Sequence, residues 1–284
     1  MSYFYSLVNI AAVYGALAAL QVLLLNRLGL AFAAIPVFAG LGAYIVAAWA
    51  VGAPVSAGMF ALVVVLAVVI SWLANYLPRD HYLLCTIAAV ECLGAAVGLS
   101  ETLGGREGLP IPEGWSVGGR GFEASMLVWT LGSLIVIIVG IRLLLSSAAG
   151  AAIDRLRENP EAAPRFFPAR HFRVVVVAGC VTAATALGVL YLAYQGRVSP
   201  TVFSLDFALL LLAFTVMAYR APEVAGLAAL LYWVLPYVMT KALPLSQQGA
   251  ADLIRFIWGG LLVAAIVVPH VVRTQRQLRG ARTQ

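Results

Sequence analysis

Charged residues are scarce in this sequence. Asp, Glu, Lys and Arg make up 11% of its 284 residues, against about 25% in an ordinary soluble domain. The hydrophobic share is 63%, so a soluble fold is excluded. Lys241 is the one lysine, and Ala242 follows it, whereas a phosphate-binding loop needs Lys directly before Ser or Thr. The chain is therefore not expected to hydrolyse ATP by that route.

Cysteine and histidine are also few. Cys85, Cys92 and Cys180 all lie inside apolar segments, and the first two would be about 10.5 Å apart along one helix. This spacing predicts neither a disulfide framework nor a metal site. No HExxH or GxSxG motif occurs, and the three histidines fall at the ends of apolar runs. No catalytic residue, metal or cofactor is expected in this chain.

Long apolar runs dominate the sequence. A stretch of about 17–25 mainly apolar residues is long enough to cross a membrane as a helix. The sequence therefore predicts an all-α, polytopic membrane helical bundle of about nine (8–10) transmembrane helices. The predicted spans are 4–25, 29–50, 55–75, 82–99, 123–146, 173–195, 204–219, 222–240 and 252–271.

The basic residues are distributed unevenly between the predicted spans. Thirteen of the 18 lie on one side, and the other five are Arg106, Arg120, Arg197, Lys241 and Arg255. Since cytoplasmic loops carry the excess of Arg and Lys, the basic C-terminal tail 272–284 is predicted to be cytoplasmic. An odd number of spans then places the N-terminus outside.

Two long polar segments interrupt the apolar pattern. Segment 100–121 is rich in Gly and Pro and is expected to be an outer loop with little regular structure. Segment 147–172 lies on the inner side and begins with a predicted amphipathic helix, which Pro160 ends. This helix suits docking of a cytoplasmic protein. The alternative is a basic loop resting on anionic lipid.

Glu91 is an acidic residue in the middle of a predicted span. An ionised carboxylate there is costly, so Glu91 is expected to face the bundle interior, to pair, to hydrogen-bond or to be protonated. Two interpretations stay open from the residues alone: a group in a transport pathway, or a structural hydrogen bond between helices.

Three stretches resemble the integral-membrane permease subunits of branched-chain amino-acid ABC importers, specifically the M-type (LivM-like) subunit. They are YLPRDHYLLCTIAAVECLGAAVGLSETLGGREGLPIP, SAAGAAIDRLRENPEAA and YLAYQGRVSPTVF. Their matching positions span residues 79–203, with weaker similarity at Gly42, Ala43 and Tyr44. The matching positions include Arg79, Tyr82, Thr86, Glu91, Gly104, Gly105, Gly150, Arg157, Glu158, Asn159, Glu161, Gly196 and Pro200.

The resemblance implies that residues 1–284 form one permease domain of the ABC-importer type in the bacterial inner membrane. The expected partners are a second homologous permease subunit, two cytoplasmic ATPases that carry ATP and Mg, and a periplasmic solute-binding protein. Segment 100–121 is expected to be a periplasmic loop. Loop 147–172 is expected to dock the ATPases. The expected pathway residues are Glu91, Thr86, Gly42 and Tyr44, and the expected coupling residues are Gly150, Arg155, Arg157, Glu158, Asn159 and Glu161.

The sequence also departs from the family. The polar run that the family carries before Gly-Ala-Tyr reads GLAFAAIPVFAGLGAY here, so the solute is open between an amino acid and a more apolar compound. Two other functions stay open. One is an ion-coupled secondary transporter that uses Glu91 as its ion site, and the other is a non-transporting membrane scaffold.

Overall fold

The apolar runs form α-helices, in which each segment satisfies its own backbone hydrogen bonds, as a membrane-embedded chain requires. The computed structural model describes residues 2–30, 32–52, 55–110, 122–158, 169–219, 221–242, 248–249, 252–253, 255–261 and 263–264. The main helices in these ranges are α1 (Ser2–Val22), α2 (Ile35–Ala50), α3 (Val55–Leu73), α4 (Arg79–Leu99), α5 (Phe122–Ser146), α6 (Ala148–Glu158), α7 (Ala169–Gln195), α8 (Leu205–Ala218) and α9 (Pro222–Ala242).

The all-α prediction is confirmed. Within the described ranges, six helical stretches are long and apolar enough to cross a membrane: Phe4–Arg27, His81–Leu99, Ser125–Ser146, His171–Gln195, Pro200–Ala218 and Pro222–Ala242. Ile35–Ala50 and Gly58–Leu73 are apolar but shorter. Of the predicted last span 252–271, residues 252–253, 255–261 and 263–264 are helical. The rest of that span and the tail 272–284 lie outside the described residues.

The second predicted span begins later than expected. The prediction placed its start at residue 29, but α2 begins at Ile35. Gly29 has a positive φ of 71°, a conformation that ends a helix and that glycine adopts without strain. Pro36 lies in the first turn of α2, where its missing N–H is tolerated. These two residues separate α1 from α2.

Helix α1 lies at the centre of the bundle. In an apolar 18-residue window of the stretch Phe4–Arg27, 83% of the residues are buried, against 17–41% in the corresponding windows of the other five long stretches. It packs against α5, α7, α8 and α9. Helix α1 is followed by a π-helical segment, Leu23–Arg27. In a π-helix the backbone hydrogen bonds join residues five apart along the chain, instead of four apart as in an α-helix.

Helix α2 lies in the interior beside α7. Its side chains are buried from Ile35 to Tyr44, and Phe32, just before it, stacks on Phe38 at 6.3 Å and on Tyr82 of α4 at 6.1 Å between ring centroids. A Cβ atom at Gly42 would collide with the carbonyl of Thr185 in α7. Small residues therefore allow α2 and α7 to approach closely.

The two ends of the bundle differ. At one end, called the α6 end, Arg142 of α5 pairs with Glu223 of α9 and α6 packs against α5 and the π-helical segment. At the other, called the sheet end, strand β1 (Leu109–Pro110) pairs antiparallel with β2 (Arg197–Val198). This pairing joins the polar segment after α4 to the connection between α7 and α8.

Candidate functional site

Helix α4 presents one side to the chain and the opposite side outward. Tyr82, Thr86, Val90 and Val97 are buried. The outward side is called the Glu91 face, and its exposed residues are His81, Leu84, Cys85, Ala88, Glu91, Cys92, Ala95, Ala96 and Leu99. Glu91 lies in the middle of the stretch His81–Leu99, which has the length and composition of a membrane span. The carboxylate is therefore at membrane depth and outside the chain's own core.

The Glu91 face consists mainly of small residues. Ala88, Cys92 and Ala95 lie near Glu91 on the same side of the helix. Small side chains allow another helix to approach closely, or leave room for water or a solute. Among the described residues, none is seen to form a hydrogen bond or an ion pair with the carboxylate of Glu91. An ionised carboxylate in contact with acyl chains costs about 2.5–3.5 kcal/mol or more, and no described residue of this chain is shown to offset that cost by pairing with Glu91.

Thr86 lies on the buried side of α4, about 140° around the helix from Glu91. Its hydroxyl donates to the carbonyl of Leu83 at 2.8 Å and accepts from the backbone N–H of Ala33 at 3.1 Å. Ala33 precedes α2, where the chain is not helical and its amide needs a partner. Thr86 therefore attaches α4 to the segment that leads into α2.

Gly42 and Tyr44 lie in the body of the chain. Both are buried in α2, and Gly42 is in the close contact with Thr185 of α7. The structure does not bring these two residues to the Glu91 face. Of the four predicted pathway residues, Glu91 alone lies on an outward surface, and the role of all four in transport stays a prediction.

Helix α6 confirms the short helix predicted at the start of segment 147–172. The hydroxyl of Ser147 accepts from the N–H of Ala149 at 3.2 Å, as expected of a polar residue at a helix start. A Cβ atom at Gly150 would collide with the backbone of Leu145, so glycine allows α6 to turn back against the end of α5. Ile153 is fully buried, and Arg155 is exposed.

The remaining predicted coupling residues are described only in part. Arg157 and Glu158 lie in the last turn of α6, and their side chains lie outside the described part of the structure. Asn159 and Glu161 lie outside the described residues altogether. Helix α6 therefore has two different sides. Gly150 and Ile153 lie on the side that packs against the bundle, and Arg155 lies on the exposed side.

Polar contacts join α6 to the interior helices. Asp154 of α6 lies 3.8 Å from Arg27 between Oδ1 and Nη1. The neighbouring Asn26 donates from Nδ2 to the carbonyl of Thr215 in α8 at 2.8 Å. Neither Arg27 nor Asp154 is among the candidate functional residues that the sequence indicates. No local pattern indicates their contact, because 126 intervening positions separate them along the chain.

The sheet end is more regular than the sequence predicts. A 3-10 turn covers Glu101–Leu103, and Arg197 donates to the carbonyl of Glu107 at 2.8 Å. Gly108 has a φ of 78°, and a Cβ atom there would collide with the carbonyl of Val198. Only glycine fits that position. Residues 111–121 lie outside the described part of the chain.

The prediction that the chain binds no metal stays a prediction. Among the described residues, no group of three or more His, Cys, Asp or Glu side chains lies close enough together to hold a metal ion.

The chain is similar to one protein family. A family model described as "Branched-chain amino acid transport system / permease component" matches residues 3–266. No curated protein matches the chain, and no solved structure does.

Proposed function

This chain belongs to the branched-chain amino acid transport permease family, and we propose that it is the membrane subunit of an ATP-binding-cassette importer. As a member of that family, it is a transport component and a multi-pass membrane protein. It moves its solute by alternating access, and separate subunits hydrolyse the ATP. The observation that carries this proposal is the Glu91 face, where a carboxylate at membrane depth faces outward from a folded chain.

The translocation pathway runs along the Glu91 face. A carboxylate is tolerated at membrane depth where it faces water, a solute or a polar group of a second subunit. A second, homologous permease subunit opposite α4 completes such a path. In this proposal Glu91 lines the pathway, and Thr86, Gly42 and Tyr44 contribute as buried supports of its wall. The solute is a branched-chain amino acid or a more apolar compound of similar size.

Helix α6 is the docking element for the ATPases. Its inner side is fixed by Gly150 and Ile153, and its outward side carries Arg155. Arg157, Glu158, Asn159 and Glu161 are proposed to take part in the coupling as well. A charged, rigidly attached helix of this kind can engage a complementary groove on a partner.

The remaining parts of the assembly follow from this arrangement. Residues 1–284 act as one permease domain in the bacterial inner membrane, with the α6 end and the tail 272–284 in the cytoplasm. Two cytoplasmic ATPases bind ATP and Mg, and this chain binds neither. A periplasmic solute-binding protein delivers the solute to loop 100–121, whose described part includes β1.

The experiment is purification of the complex from native membranes in mild detergent, followed by reconstitution in liposomes. We expect two ATPases and a second permease to co-purify and uptake to require ATP. Exchanging two charges of α6, Arg157→Glu with Glu158→Arg, is expected to lower uptake about tenfold while the ATPases continue to hydrolyse ATP. The reason is that the docking surface then presents the wrong charge pattern to its partner.

The matched control exchanges an exposed ion pair elsewhere, Asp252→Arg with Arg255→Glu, whose groups lie 3.3 Å apart. Uptake by this control should stay within about twofold of the original, as expected for an exposed surface pair. Uptake by the purified chain alone along an ion gradient would instead establish a secondary transporter. A complex that shows no uptake, and whose ATPase activity does not respond to solute, would establish a non-transporting scaffold.

A further inference from the structure

The π-helical end of α1 contacts two helices that have different roles in the proposed transporter. Helix α6 docks the ATPases, whereas α8 belongs to the membrane bundle. Leu23 and Leu24 are buried in the core, and the segment Leu23–Arg27 packs against both α6 and α8. The backbone N–H of Leu28 donates to the carbonyl of Leu23 at 3.0 Å, which is the wider turn of a π-helix. Such turns are rare in proteins, but those that occur are often located at functional sites.

One contact of this segment is ionic. Asp154 lies in the middle of α6 and pairs with Arg27 at 3.8 Å. The side chain of Arg27 is 17% exposed and that of Asp154 is 47% exposed, so the pair is only partly screened by water. The neighbouring Ile153 is fully buried. The ion pair therefore attaches α6 to the end of α1 next to a buried apolar residue of α6.

The other contact is a hydrogen bond. Asn26 donates to the carbonyl of Thr215 at 2.8 Å, and Thr215 lies in the last turn of α8. Carbonyl groups in the last turn of a helix lack a donor within their own helix, so Asn26 supplies one from α1. Two adjacent residues of the π-helical segment thus contact different helices: Arg27 pairs with α6, and Asn26 binds the end of α8.

We propose that Asn26 and Arg27 are positioning residues that transmit the movement of α6 to α8 and to the buried helix α1. This inference rests on the proposed function, since it requires that partner ATPases move α6. When α6 is displaced, Asp154 moves Arg27 and with it the π-helical segment. Through the hydrogen bond of Asn26, this segment then moves the C-terminal end of α8. The central position of α1 allows the movement to reach the helices packed around it.

The test is a charge exchange measured in the reconstituted complex. Arg27→Asp and Asp154→Arg, made singly, place like charges together and are each expected to lower ATP-dependent uptake about tenfold. The double variant restores the opposite charges and should recover uptake to within about threefold, which is the signature of direct coupling between two residues. Asn26→Ala should lower uptake similarly, and Asn26→Gln should restore part of it.

The matched control exchanges the Arg142–Glu223 pair, which joins α5 to α9 at the same end. Its exchange should leave uptake within about twofold, as for other exposed pairs. ATP hydrolysis and retention of the ATPases are measured on every variant, because a relay defect leaves both intact. Single variants with normal uptake, or with ATPases that detach, would overturn the relay. Absence of ATP-dependent uptake in the unaltered complex would instead contradict the proposed function.

Discussion

Replacing Gly188 with valine is expected to leave little folded chain in the membrane. A Cβ atom at Gly188 of α7 would collide with the carbonyl of Ala39 in α2. The backbones of two packed helices would have to separate, and overpacking of this kind costs about 3 kcal/mol or more. The measurement is the amount of monodisperse protein extracted in mild detergent, together with its thermal unfolding temperature.

The same helix offers a matched control. Among the described residues, no atom other than the adjoining backbone of α7 lies within 4 Å of a Cβ placed at Gly179, so Gly179→Val makes the same change in α7 without the collision. We expect this variant to be extracted and to unfold like the original chain. Gly42→Val, which would collide with the carbonyl of Thr185, should behave like Gly188→Val. Equal stability of the Gly188 and Gly179 variants would contradict the close contact between α2 and α7.

Replacing Glu91 with leucine is expected to lower uptake at least tenfold without unfolding the chain. The carboxylate is exposed on α4, so its removal leaves no buried polar group of this chain unpaired. If it lines the pathway, leucine removes the polar group that a solute or water meets at membrane depth. A tenfold loss corresponds to about 1.4 kcal/mol. Glu91→Gln keeps a polar group and should retain more uptake than leucine.

The competing explanation of Glu91 makes the opposite prediction. If the Glu91 face lay against lipid, leucine would remove an unfavourable group and stabilise the chain, since a charged side chain among acyl chains is costly. Uptake would then be unchanged and the unfolding temperature would rise. Measuring uptake and thermal stability on the same preparations separates the two cases.

The sequence predicts which segments form helices better than it predicts which side of each helix faces inward. In α4 the mid-span position of Glu91 was evident, but its exposure and the burial of Thr86 opposite were not. Lipid tails are as apolar as leucine, so an inward side and a lipid-facing side have similar composition. Hydrophobic periodicity, which distinguishes the two sides in water, therefore carries little information here.

Helix α6 was predicted well for the complementary reason. It lies outside the apolar runs, so one side is apolar, with Ile153 buried, and the other is charged, with Arg155 exposed. The contacts of Gly42 with α7 and of Arg27 with Asp154 were not predictable. They join residues far apart in the chain, and no local spacing indicates which helices become neighbours.

The most direct test of the central claim is the water accessibility of the Glu91 face in the assembled complex. Cys85 and Cys92 are exposed on this face, and Cys180 is buried. A thiol reacts as its thiolate and so requires water, which makes a charged, membrane-impermeant thiol reagent a suitable probe. Cys85→Ser and Cys92→Ser assign the labelled position, and Cys180 is the internal control.

We predict that Cys85 and Cys92 react in the intact complex, at rates that change when the ATPases are trapped with nucleotide, and that Cys180 does not react. Reaction of neither exposed cysteine in any nucleotide state, with full reaction after denaturation, would contradict a pathway along α4.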